Sequence, residues 1–221
     1  MLSAGGSVAP YDSLNLGLKV GDDRDAVLAN RSGLASACGL DRIIFMDQFH
    51  SAVMLEANED GEQLCDGIFL LRGREELERI GLAVQVADCV PLLLTHPDFV
   101  AAVHIGREGL IKGMTESAIG RLEALMDLES AKAWIGPSIC GDCYQVSEEL
   151  LKECGSAYPK SVHSISERKI DVAKGVISVL ESKEIEWSWF GRERECVSCD
   201  PSYFSYRRDG VTGRQAMIVA W

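Results

Sequence analysis

The segment Gly81 to Gly113, GLAVQVADCVPLLLTHPDFVAAVHIGREGLIKG, constrains the fold of this chain more than any other. It holds three short apolar runs: Leu82–Val86, Val90–Leu94 and Val100–Val103. They are rich in Val and Leu and bounded by Gly, Pro and polar residues, which marks buried strands rather than helices. Asp88 and Cys89 stand between the first two runs, and His104 closes the third. A thiol or imidazole at the edge of a buried strand is costly unless it is paired or bound to a metal. The segment therefore predicts a site as well as a core. After His104 the chain turns through Gly106 and Gly109, then resumes helical spacing at Leu110, Ile111, Met114, Ala118, Leu122 and Leu125.

Around this segment, strands are expected at Ile43–Phe45 (running towards Gln48 and His50), Ala52–Glu56, Cys65–Leu71, Lys132–Ile135, Ile185–Phe190 and Ala216–Trp221. SLNLGLKVGDD has room for one short strand between turns, and His163–Ile165 reads as extended. Helical spacing covers Asp25–Ala37, with Gly39 as a stop, and Ser117–Leu128. It also covers Ser147–Cys154, with Ser147 as N-cap, and Asp171–Lys183. Glu75–Ile80 reads as one or two helical turns, and Asp60-Gly61 as a turn. Strands and helices alternate loosely, without repeats or a low-complexity linker. Residues 1–221 are expected to form a single domain of the α/β (α+β) class, a layered sandwich with a mixed β-sheet and helices packed on its faces.

A net charge of −12 leaves no basic face for a nucleic-acid backbone. No apolar run approaches the about 18 residues that span a bilayer. The start of the chain, MLSAGGSVAPYDSLN, lacks the features of a signal peptide. A cytoplasmic location is expected, with the eight cysteines kept as thiols, and a monomer or homodimer as the assembly.

Only four histidines are present, His50, His96, His104 and His163. His50 follows one strand, Cys89 lies between two and His104 ends another, so the three could converge if those strands are neighbours. One thiolate and two imidazoles suit Zn²⁺ and leave a fourth position open, as in catalytic zinc sites. Copper also binds such N/S donors. Each residue taken alone reads more readily as a packed core position. Two Cys-x-x-Cys pairs, Cys140/Cys143 and Cys196/Cys199, have the pattern of a structural zinc ribbon. The stretch between them is long and holds two expected helices and a strand, so unlinked thiols are the simpler reading. Arg207, Arg208 and Arg214 lie beside glycines in the tail, suited to capturing phosphate or to a neutralised surface turn. Asp88 reads as a proton shuttle or as a turn residue.

The motifs PYDSLNLG with VGDD, ANR, QFH, CDGIF, VADCVPLLL, VAAVH, IGPSIC with CYQV, and FSYRRDGVTGR occur in this order over nearly the whole chain. Together they resemble the YfiH family of laccase-domain, or "multicopper polyphenol oxidase", proteins. That resemblance implies a layered α/β sandwich and zinc-dependent purine nucleoside chemistry: phosphorolysis of adenosine, inosine, guanosine or methylthioadenosine, and deamination of adenosine. The family's ligand motifs fall on His50, Cys89 and His104. Peptidoglycan editing is also attached to some members. Two departures stand out. Arg107-Glu108 replaces the family's Trp-Arg after the second histidine, and the N-terminus is short. A four-copper mechanism needs many imidazoles, usually in His-x-His pairs, and four unpaired histidines do not supply them.

The expectation is a zinc enzyme taking purine nucleosides and phosphate. His50, Cys89 and His104 would hold the metal, Asp88 and Cys89 would be catalytic, and Arg31, Gln48, Arg207 and Asn15 would bind substrate or phosphate. Two other readings remain at this point. One is a metal-independent cysteine hydrolase using Cys89 and His104. The other is an editing or binding protein for nucleotides or cell-wall fragments.

Overall fold

A computed structural model describes residues 5–58, 62–73, 79–191 and 193–221. The described elements are α1 (Arg24–Ala37), β1 (Arg42–Asp47), β2 (Met54–Glu56), β3 (Gln63–Leu64), β4 (Gly67–Leu71), β5 (Ile80–Val86), β6 (Val90–His96) and β7 (Phe99–Ile105). They continue with α2 (Arg107–Ile111), α3 (Met114–Glu123), β8 (Lys132–Ile135), α4 (Glu148–Ala157), β9 (Val162–Ser164), β10 (Lys169–Ile170), α5 (Val172–Ser182), β11 (Glu186–Trp189), α6 (Tyr206–Asp209) and β12 (Gln215–Val219).

The strands form two large mixed sheets, one of four strands in the order β12-β5-β1-β3 and one of six in the order β11-β8-β6-β7-β4-β2. Strands β9 and β10 make a separate antiparallel pair. The expected layered α/β sandwich is what the chain adopts, with its mixed pairing divided between two sheets. Side-chain alternation explains why they stack. In β7, Phe99, Ala101, Val103 and Ile105 pack with residues of α2, α3 and α5, whereas Val100 and Ala102 pack against Leu82 and Val84 of β5. All seven β7 residues are buried. A strand covered on both faces reads as a continuous apolar run. On the far side of the four-stranded sheet, Phe45 and Ala83 meet Leu34 of α1. Burying one such Leu, Ile or Val fully is worth about 1.5–3 kcal/mol.

Local chemistry sets most element ends. Asp23, Ser147 and Asp171 accept hydrogen bonds from Ala26, Leu150 and Lys174 backbone N–H groups, capping α1, α4 and α5. Gly39 takes φ +71 just after α1, a left-handed conformation that glycine adopts without strain. The helix expected over Ser117–Leu128 stops at Glu123, where Leu125 N–H bonds the Leu122 carbonyl and the chain tightens into a turn. The short strand expected in SLNLGLKVGDD is absent. There Asn15 accepts from Gly17 N–H and donates to Gly17 O, so its side chain replaces a strand partner and folds the segment into a turn. The Asp60-Gly61 turn and residues 75–78 of the turn expected over Glu75–Ile80 lie outside the described residues, while Ile80 opens β5.

The chain passes between the two large sheets several times. The β1-to-β2 passage carries His50, β3-to-β4 carries Asp66, β5-to-β6 carries Asp88 and Cys89, and β11-to-β12 carries Arg207 and Arg214. These residues line or adjoin a single cleft.

Candidate active site and metal centre

The ligand atoms of His50, Cys89 and His104 lie within 4.8 Å of one another. Only Cys89 and His104 come from neighbouring strands: β6 and β7 pair antiparallel, with Pro91 opposite His104. His50 follows β1, which belongs to the other sheet, so the trio forms where the two sheets meet. Cys89 Sγ is 3.7 Å from His50 Nε2, and the His50 and His104 rings meet edge to face at 4.9 Å. His50 at φ 61 and Asp88 at φ 105 are non-glycine residues in a sparsely populated backbone region. Such strain concentrates at functional sites.

Asp66, not singled out in the sequence, organises the centre. Its carboxylate is fully buried and lies 2.8 Å from His104 Nδ1. It also accepts from the backbone N–H groups of Phe49, His50 and Ser51 and from the Ser51 hydroxyl. It thus shapes the loop carrying His50 and leaves His104 Nε2 as the nitrogen available to a metal. Burial would raise the Asp66 carboxyl pKa, but the His104 and Ser51 hydrogen bonds hold it well below the usual carboxylate range. Its one sequence signal was a carboxylate just ahead of the apolar run Ile68–Leu71, an ionisable group at the edge of a buried strand, as His104 is at the end of another. Burial pushes the Cys89 thiol up, yet His104 and His50 outweigh it and bring it down to about 6. Burial lowers His104, whereas Cys89 and Asp66 raise it to about 9.

The donor set fits a zinc ion. Bonds of about 2.3 Å to sulfur and about 2.0–2.1 Å to nitrogen need donors only a few ångströms apart. Gly106 keeps the centre open: a Cβ there would lie 2.7 Å from His50 Cδ2 and 2.9 Å from Cys89 Sγ.

The cleft above the trio has a volume of ≈ 660 Å³. Gln48 lines it, with its side chain tied in both directions to the Gln85 backbone. Arg31 also lines it, paired with Glu62 and stacked on Phe45. Arg207 lies over the Tyr144 ring and donates to Gln145 O. Asp88 accepts from Ser205 Oγ at 2.6 Å and Arg207 N–H at 2.7 Å. Burial raises the Asp88 carboxyl pKa against those bonds. Asn15 is fully buried and is not among the lining residues; it accepts from Gly17 N–H and Arg214 N–H. Its place is behind the wall, anchoring the backbone of Arg214.

Two further arginines stand in the cleft. The Arg214 guanidinium donates only to the Thr212 and Gly213 carbonyls and has no carboxylate partner among the described residues. Arg107 is held by Tyr144 and by Glu108, whose carboxylate lies 3.4 Å away.

A family model described as multi-copper polyphenol oxidoreductase laccase matches residues 2–221. The chain belongs to this family. The resemblance to YfiH proteins holds in three dimensions. The fold is similar to Bacillus licheniformis YfiH, with TM-score 0.85 and 26% identity over 99% of this chain and 90% of that one. A Neisseria meningitidis structure matches with TM-score 0.86 and 29% identity over the same shares, 99% and 90%. A Corynebacterium glutamicum relative named purine nucleoside phosphorylase is 37% identical, covering 98% of this chain and 90% of its own length. A Streptomyces coelicolor relative of the same name is 36% identical, covering 97% and 90%. The copper label of the family does not carry over as a four-copper mechanism. Outside the trio, His96 stacks on Phe99 and His163 pairs with Asp142. Two imidazoles cannot build a multicopper cluster. No helix among the described residues is long and apolar enough to cross a membrane.

Proposed function

We propose that the cleft binds a purine nucleoside together with inorganic phosphate and cleaves the glycosidic bond by phosphorolysis, with His50, Cys89 and His104 holding Zn²⁺. The observation that carries this reading is the meeting of those three donors at the foot of a cleft whose arginines are only partly neutralised. The names of the relatives supply the substrate class. A bound zinc ion supplies Lewis acidity at the foot of the cleft.

Arg214 and Arg207 present guanidinium N–H groups to phosphate, with Arg107 at the rim. A phosphate oxygen attacks C1′ of the ribose, the C1′–N9 bond breaks, and its electron pair leaves with the purine, which takes up a proton. Asp88 would carry the proton: it lines the cleft, and burial raises its carboxyl pKa. Adenosine, inosine, guanosine and methylthioadenosine are the proposed nucleosides. In adenosine deamination at the same centre, Asp88 would deliver the proton to the leaving amine.

The test is release of free base and ribose 1-phosphate by purified protein, compared with Cys89→Ala, alongside metal content by mass spectrometry. Phosphate-dependent release with about one cleft metal, both lost in Cys89→Ala, is expected. Full activity in a Cys89→Ala protein that has lost the cleft metal would sink the assignment. One observation favours a second reading: Asp66, His104 and Cys89 form an acid–imidazole–thiol chain of the kind that activates a nucleophile. That cysteine hydrolase would ignore chelators and be trapped covalently at Cys89.

A further inference from the structure

The four cysteines outside the cleft also converge. Cys140 and Cys143 bracket a tight turn in which Cys143 N–H bonds the Cys140 carbonyl at 3.1 Å. Cys196 and Cys199 bracket a second turn, with Cys199 N–H bonding the Cys196 carbonyl at 3.2 Å. The four sulfurs lie within 4.8 Å of one another, and Cys143 Sγ is 3.3 Å from Cys199 Sγ. We propose that Cys140, Cys143, Cys196 and Cys199 hold a second zinc ion, as a closed four-thiolate site that clips together the two loops forming one wall of the cleft.

The argument begins with the donors. Four sulfurs at tetrahedral corners, each about 2.3 Å from zinc, sit about 3.8 Å apart, within the observed separation. Tetrahedral sulfur coordination selects zinc or iron, and four protein ligands leave no position for substrate, which is the pattern of a structural site. Thiolate charge is offset locally: Cys140 N–H donates to Cys196 Sγ at 3.3 Å, as backbone amides do in such knuckles. Arg194 brings a guanidinium beside the site, donating to Ile139 O and pairing with Asp171.

The two turns are distant in sequence, and besides the Cys140 N–H and Arg194 contacts only a few backbone bonds near Ser138 join them, among them Ser138 N–H to Glu195 O at 3.3 Å. Ser138 and Cys196 form an isolated parallel bridge, and Val197 N–H bonds Ser138 O at 3.3 Å. The residues that follow each turn build the cleft wall. Tyr144 comes directly after Cys143, and Arg207 lies over its ring and donates to Gln145 O. Arg208 donates to the carbonyls of Val197 and Asp200, tying α6 to the second turn. A metal joining the turns therefore fixes Tyr144 and Arg207 relative to each other, whatever the cleft turns over.

The experiment is zinc content and zinc-edge X-ray absorption on wild type, on Cys89→Ala, and on Cys143→Ser combined with Cys199→Ser. Wild type should carry about two zinc ions per chain. Cys89→Ala should retain about one, with four sulfur neighbours at about 2.3 Å. The double serine variant should fall to about one, bound by mixed nitrogen and sulfur. Wild type with about one zinc, wholly sulfur-ligated, would sustain the clip while removing the metal from the cleft. Zinc absent from Cys89→Ala, fewer than four sulfurs around it, iron in its place, or a Cys143–Cys199 disulfide in freshly purified wild type would each overturn the proposal. Cys89→Ala leaves the clip intact, so the test stands even if the serine variant fails to fold.

Discussion

The two ligand clusters of this molecule are built in opposite ways. His50, Cys89 and His104 come from passages between two packed sheets, and a fully buried carboxylate, Asp66, sets both an imidazole and the loop of a second ligand. Cys140, Cys143 and Cys196 are half-buried and Cys199 exposed, all on turns held by backbone bonds within each turn. The first cluster offers three donors beside a cleft, and the second offers four, enough for a complete tetrahedral set. Donor number separates a centre able to do chemistry from one able only to hold chain together. The surroundings follow: a preorganised site needs a rigid outer shell, whereas a closed thiolate site supplies its own rigidity.

The sharpest way to break this comparison is Asp66→Ala. Removing one partner of a buried pair costs about 3–5 kcal/mol, and losing the group that orients His104 should weaken cleft metal binding about 10–100-fold. The clip metal should stay. Chemical denaturation and zinc competition read both effects, and unchanged cleft affinity would mean that His104 is oriented by something else. Gly106→Ala comes next. Its Cβ would press on His50 and Cys89, so it should cost about 1–3 kcal/mol and deplete the cleft metal alone.

Arg214→Gln tests the anion site. It removes a cation without a carboxylate partner among the described residues, and a charged hydrogen bond of about 1.5–3 kcal/mol corresponds to a roughly 10–150-fold rise in KM for phosphate. An unchanged KM would place the phosphate elsewhere. In protein stripped of metal, Cys89, lowered to about 6, should alkylate at a rate that levels off above neutral pH. Cys143, raised by burial, should still be accelerating there. Identical pH profiles would erase the contrast between Cys89 and Cys143. The smallest effect belongs to Glu108→Gln. Its contacts with Arg107 and Lys112 are solvent-exposed, so stability should change by no more than about 1 kcal/mol. Freeing Arg107 should lower KM for phosphate a few-fold, and a rise instead would show that Glu108 supports binding.

Much of this protein was legible in the sequence because local periodicity and end chemistry are local physics. The run Lys132–Ile135 is a strand over those same residues, Ser147 caps the helix it precedes, and the helical spacing over Asp171–Lys183 is met by α5. Ligand chemistry singled out His50, Cys89 and His104 without knowledge of their neighbours. The alternation of a strand shows which faces are buried, not which strand lies across from them. That β1 and β6 belong to different sheets, and that His50 and Cys89 meet where the chain crosses between them, follows from long-range pairing alone. Asn15 illustrates the limit, since only the fold turns a motif residue into an anchor for Arg214, far along the chain. Asp66 is the clearest case. A lone carboxylate ahead of an apolar run has no fixed meaning until packing removes water from it and brings His104 and the His50 loop within hydrogen-bonding reach.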